Sequence, residues 1–307
     1  MKETQNKRTE MFCLNLRSLR TMFPEAPVAV LRCGAFYGAA RKKCFSGSAL
    51  LLCRKRLTQS RFAEETELMP FLTAALCTLP DADAGLQRVL HHYRVLSGAF
   101  PNSSERTSAA FLTALLLPDD TDADELVRRS AKIAAEDGFA PCRRLLLAGS
   151  GENPASRLAQ TEELLAALYG GLSDVKPEAY VLACFQNPEA VCMKTSLLKR
   201  LLRVRGMRPQ NPVTSAVLAG IHTGCAEIAE KVCVTYTLLK KQSGFGFFAI
   251  SAPERTMWAC LLTASEAVSE DEAEASGLSA AVFSALFSFL SGNISDAAYL
   301  FRGPESV

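Results

Sequence analysis

The 307 residues are 49% hydrophobic and 21% charged with a net charge of +2, a globular composition with apolar material for one large or two medium cores. It excludes a largely disordered chain. The longest apolar stretch, "LSAAVFSALFSFL" at 278–290, falls short of the ~20 residues a membrane helix needs and reads as a buried helix, so no membrane partner is expected.

Residues 1–24 read as a basic N-terminal helix or arm. They mix acids with bases and show no apolar h-region, which argues against a secretory signal and places the protein in the cytoplasm. Residues 1–62 hold 13 Lys and Arg against 3 acids, a balance of +10, leaving −8 for the remainder of a chain of net charge +2. Such asymmetry fits a nucleic-acid or other anionic partner. Few aromatics interleave with these cations, however, and solvated helix faces account for them more simply.

Residues 25–268 read as a helical repeat domain. "FLTAALCTLPD" from Phe71 and "FLTALLLPDD" from Phe111 begin 40 residues apart, each an apolar helix followed by Pro, Asp and an amphipathic run. In the first copy Leu86, Val89, Leu90, Tyr93 and Leu96 share one helical face. A small-residue and apolar pair recurs after the amphipathic helices, at Gly138-Phe139, Gly171-Leu172, Gly206-Met207 and Gly244-Phe245, with looser versions at Arg61-Phe62 and Ala99-Phe100. Glycine there permits the left-handed conformation that closes a helix, and the apolar residue after it packs back on the last turn. "KVCVTYTLL" at 231–239 is rich in β-branched residues, yet Cys225, Ile228, Val232, Tyr236 and Leu239 keep helical spacing through it. The expectation is an all-α protein of five to six helix hairpins, 33–39 residues each, stacked as an α-solenoid or an α/α ring. Residues 269–307 read as an acidic linker, "SEDEAEAS", and a C-terminal helix.

The hairpins, "SRFAEETELMPFLTAAL", and above all the closing "KKQSGFGFFAISAPERTMWACLLTA" resemble the bacterial domain-of-unknown-function family numbered 4003, over about residues 15–268. The resemblance implies a helical cytoplasmic protein of mostly Gram-positive bacteria. It implies no catalytic residue and no cofactor, since the family has no assigned function.

Several stretches look chemical. Gly244, Gly246 and Ala249 fit the spacing of a dinucleotide loop, but a helical stripe precedes them and Pro253 interrupts the segment after them, so they read as a repeat junction. In "DDTDADE", Asp119, Asp120 and Asp124 are candidate metal ligands. "PDADAG" at 80–85 holds the same place in the preceding hairpin, where acids cap a helix start, so capping is the simpler reading. "GSGEN" at 149–153 reads as a loop. "KTSLLKRLLRVRGMR", 194–208, carries six cations and no acid; Leu197, Leu198, Leu201 and Leu202 are expected to be buried, with Lys199, Arg200, Arg203 and Arg205 on the solvent side as a possible anionic-partner face. The eleven cysteines show no C-x-x-C pair and read as reduced and structural, and His91 and His92 as surface or half-buried residues.

Three functions stay open: a non-catalytic scaffold binding a protein or peptide, an enzyme with its site in the cavity of a helical ring, and a binder of nucleic acid through basic helices.

Overall fold

The computed structural model describes residues 2–100, 103–116, 122–137, 145, 147–150, 153–170, 175–209, 213–242 and 250–267, with 278, 279, 281, 282, 285 and 286. Every regular element among them is helical: α1 (Lys2–Met22), α2 (Val28–Ala40), α3 (Gly47–Thr58), α4 (Met69–Cys77), α5 (Ala82–Val95), α6 (Ser103–Leu116), α7 (Ala123–Asp137), α8 (Pro154–Tyr169), α9 (Lys176–Leu182), α10 (Pro188–Val204), α11 (Val213–Val217), α12 (Cys225–Lys241) and α13 (Ala252–Ala267), with short 3-10 turns at Arg61–Glu64, Leu96–Gly98 and Leu218–Gly220. The protein is all-α. The β-branched run at 231–239 lies inside α12, where Ile228, Val232 and Leu239 are buried, because one apolar stripe at helical spacing outweighs local strand propensity.

The chain divides into two compact units, Met1–Thr9 with Ser150–Ala285, and Glu10–Gly149 with Leu286–Val307. This division differs from the boundaries near 24 and 268 expected from the sequence. Much of α1 belongs to a core: Phe12, Cys13, Leu16 and Leu19 are buried, and the Asn15 side chain accepts from Phe45 N and donates to Lys43 O, each at 2.8 Å. The basic helix is therefore not a detached arm.

Two kinds of helix alternate. α2, α4, α9, α11 and α13 are buried over most of their length, with runs such as Leu31–Ala39, Met69–Leu76 and Arg255–Ser265 offering no solvent face. α3, α5, α8, α10 and α12 bury one stripe each: Leu50, Cys53 and Leu57; Leu86, Val89 and Tyr93; Leu158, Thr161 and Leu165; Val191, Thr195, Leu198 and Leu202; Ile228, Val232, Thr235 and Leu239. Within residues 150–285, α8, α10 and α12 pack in sequence in one layer and α9, α11 and α13 in another, with α13 also against α12. Within residues 10–149, α2 packs on α4, α3 on α4, and α5 on α6. An amphipathic helix can bury only its stripe, whereas a helix apolar all round must be covered on every side.

The apolar members of the recurring pairs that fall among the described residues, Phe62, Phe100 and Met207, are all buried. At Gly206 the closure is a Schellman motif. Gly206 has φ 72°, its N–H donates to Arg203 O at 3.0 Å, Met207 N–H donates to Leu202 O at 2.9 Å, and the Met207 side chain is buried like that of Leu202. Helix α8 closes on Gly170, φ 68°, one residue before the expected Gly171. Gly138, Phe139, Gly171, Gly244, Phe245 and Gly246 lie outside the described residues, as does the acidic linker 269–276. Leu278, Ala281, Val282, Ala285 and Leu286 of the C-terminal segment are helical and buried.

Candidate functional site

Helix α10 presents apolar and cationic side chains together at the surface. Asn187 caps its start by accepting from Ala190 N at 3.2 Å, Pro188 opens the first turn, and Glu189 and Arg203 suit the two ends of the helix dipole. Its buried stripe is Val191, Cys192, Thr195, Leu198 and Leu202. Leu197, expected in that stripe, is 47% exposed, and Met193 and Val204 are 59% and 79% exposed.

The reason is angular. At about 100° per residue, Met193, Leu197 and Val204 sit about 200° from Val191, Thr195 and Leu202. α10 therefore carries two apolar stripes on opposite sides, and only one has a place in the layer of α8, α10 and α12. Arg200 continues the outer stripe at helical spacing, and Arg203 and Arg205 flank it; all three are exposed.

Lys199 does not belong to that face. Its ammonium lies 2.5 Å from Glu178 Oε1 and donates to Glu178 Oε2 at 2.7 Å and to Tyr169 Oη at 3.0 Å. It also stands 4.8 Å from the centre of the Tyr169 ring. Burial opposes its charge, but the hydrogen bond and charge of Glu178 outweigh that and hold the ammonium above the usual lysine value. Burial likewise raises the Tyr169 hydroxyl, against its hydrogen bond from Lys199. The trio ties α8, α9 and α10 together. The expected anionic-partner face thus loses Lys199 and keeps Arg200, Arg203 and Arg205, while Met193, Leu197 and Val204 join it.

The acid runs act at helix starts where they are described. Asp81 accepts from Asp83 N at 2.8 Å and from Ala84 N at 3.1 Å, and these two bonds hold its carboxyl below the ordinary aspartate value. Asp122 accepts from Asp124 N at 2.9 Å at the start of α7, which puts Asp124 in that helix's first turn. Asp119 and Asp120 lie outside the described residues. Among those described, no three His, Cys, Asp or Glu side chains gather as metal ligands. A recess of about 270 Å³ at Pro80, Asp81, Ala84 and Arg88 is small and shallow for a small-molecule site.

His92 is buried, contrary to the surface or half-buried place expected for it. Its Nδ1 meets Thr113 Oγ1 at 2.8 Å, and that hydroxyl donates to Ala109 O at 3.0 Å. With the threonine proton turned to the carbonyl, Nδ1–H is the donor. Burial, with Arg88 and His91 adding to it, pushes its pKa down to about 4. Burial raises the thiols of Cys13, Cys184 and Cys260 to about 12 and that of Cys192 to about 11, so these are packing residues rather than nucleophiles.

The basic stretch 1–62 is also partly engaged in the fold. Arg41 lies over Tyr37, Arg54 over Phe23 and Arg61 over Tyr93, with guanidinium-to-ring distances of 5.7, 5.0 and 3.6 Å, and Arg56 pairs with Asp83.

These features define an all-α protein of alternating buried and amphipathic helices, with an apolar and cationic ridge on α10. No protein-family model, no curated protein and no solved structure matches the chain. No helix among the described residues is long and apolar enough to cross a membrane.

Proposed function

We propose that this is a non-catalytic helical-repeat protein, of the cytoplasmic bacterial kind that the resemblance to family 4003 implies, and that it docks an acidic, amphipathic helix of a protein partner on the outer face of α10. One observation carries the reading: the second apolar stripe of α10, Met193, Leu197 and Val204, is exposed, and its neighbours Arg200, Arg203 and Arg205 are cations. Apolar anchors at helical spacing suit the groove or face of another helix, and a cationic surround selects a partner with acids beside its apolar stripe. The solenoid arrangement expected from the sequence is part of the same proposal, since stacked hairpins offer such surfaces repeatedly. The structural duties of His92, Lys199 and the buried thiols favour a binding role over the enzyme reading.

The test uses a fluorescent helical peptide with leucines on one face and glutamates beside them, read by anisotropy against the full-length protein. Binding that weakens about tenfold in each of Leu197→Asp and Arg200→Glu is expected, as truncation of an interface anchor costs on the order of 1–2 kcal/mol. It should also weaken with added salt, and a lysine-for-glutamate peptide should not bind. Equal affinity of the variants and the parent protein would remove the docking face. Stronger binding of a duplex oligonucleotide, lost on charge reversal within residues 1–62, would favour the nucleic-acid reading instead.

A further inference from the structure

Helices α1 and α3 turn one common surface to solvent. α1 packs on α2, where the Phe12 and Phe36 rings meet edge to face at 6.5 Å, and α3 packs on α4, which packs on α2. The two amphipathic helices also touch each other. Asn15 is bonded to the turn before α3, the Ser18 hydroxyl donates to Phe45 O at 3.4 Å, and Arg54 Nη1 donates to Met22 O at 3.5 Å. They therefore lie side by side on the α2 and α4 layer, with their other faces outward. Those faces expose Leu14 by 50%, Leu51 by 60% and Leu52 by 49%, among the exposed cations Arg17 and Lys55. Arg20 borders α1's share of the surface, and Lys42 and Lys43 are exposed on the turn that leads into α3. We propose that this face docks on an anionic phospholipid surface.

Charge is the first argument for that occupant. Arg41, Arg54, Arg56 and Arg61 are engaged in the fold, but the side chains of Arg17, Arg20, Lys42, Lys43 and Lys55 make no ion pair, ring contact or hydrogen bond with a described residue. Against them, residues 10–60 hold only two acids, Glu10 and Glu25. Free cations beside a bilayer are drawn to anionic headgroups.

The leucines decide between anionic partners. A nucleic-acid duplex holds its phosphates at fixed spacing and gives exposed leucines nothing to enter. A partner helix wants anchors in one stripe, as on α10, whereas Leu51 and Leu52 are adjacent, about 100° apart, and Leu14 stands on another helix. Lys55 follows both α3 leucines by one turn, so cation and apolar side chains alternate across the surface. Headgroups in a fluid leaflet move to meet dispersed cations, and the leucines enter the boundary with the acyl chains. No helix among the described residues can cross a bilayer, but lying on its surface needs only a cationic face with a few apolar side chains.

The test is co-sedimentation of the full-length protein with vesicles of phosphatidylcholine mixed with phosphatidylglycerol, beside vesicles of phosphatidylcholine alone. Partition onto the anionic vesicles only is expected, weakening with added salt. It should fall about tenfold in Leu51→Ser with Leu52→Ser, and about tenfold in Lys42→Glu with Lys43→Glu. Leu197→Asp should partition like the parent, so this face and the docking face of α10 fail separately. Hydrogen exchange of the unsubstituted protein should show vesicle-induced protection in residues 10–22 and 42–55, which decides the matter even if a variant folds poorly. No partition onto anionic vesicles, equal partition onto neutral ones, or protection confined to other segments would overturn the proposal. So would a duplex oligonucleotide or glutamate-rich peptide that binds through these same residues while vesicles do not.

Discussion

Lys199 and Arg200 adjoin in sequence yet meet different surroundings, and substitution should separate them. Lys199→Met leaves Glu178, 11% exposed on its side chain, without its nearest cation, and should destabilise the protein by about 2–3 kcal/mol in urea unfolding. Arg200→Met, on the exposed face, should stay within about 0.5 kcal/mol of the parent. Gly206→Ala forces a Cβ into the left-handed region at φ 72° and should cost about 1 kcal/mol although nothing crowds the position. His92 gives a pH dependence. Its folded pKa, about 4, lies below the ordinary 6.5, so the unfolded chain binds more protons between these values. The stability it lends is therefore complete above pH 6.5 and lost as pH falls towards 4, a change on the order of 3 kcal/mol at most. Urea midpoints across that window should flatten in His92→Gln. The cation at Lys199 was legible in the sequence but its partner was not, because Glu178 and Tyr169 come from two other helices.

At the scale of the helix, burial pattern decides role. Gly220 closes the turn after α11 against Phe185, and a Cβ there would come within 2.1 Å of the ring. Phe185 is 1% exposed, so its ring must shift within the core and Gly220→Ala should destabilise by about 1–3 kcal/mol, read as a fall in the thermal midpoint. α10 is the opposite case, since its outer stripe has room on the solvent side. The sequence did hold a signal for it: residues 193, 197 and 204 repeat the spacing of the buried stripe two positions on, about 200° round the helix. Merging two stripes into one put Leu197 in the core. Helix closure was easier to read, because the Schellman motif at Gly206 needs only local residues, although at α8 the left-handed residue is Gly170.

For the whole molecule, the charge asymmetry is the feature that most invites a functional reading. Residues 1–62 hold the excess of cations, yet Arg41, Arg54 and Arg61 stack on aromatic rings and Arg56 pairs with Asp83. Guanidinium groups held this way are less free to neutralise phosphates. Duplex oligonucleotide binding at physiological salt is expected to be weak in a mobility-shift assay, and tight binding with a steep salt slope would reverse that expectation. The sequence by itself determined the all-α class, the amphipathic helices and the capping role of Asp81, because apolar periodicity, caps and left-handed glycines act within a few residues of one another. The tertiary structure decided which of two apolar stripes is covered, that Lys199 is tied to Glu178, that His92 is buried and neutral, and that the compact units divide at residues 149 and 150. Those facts depend on which helices become neighbours, and no local spacing encodes a neighbour that is distant along the chain.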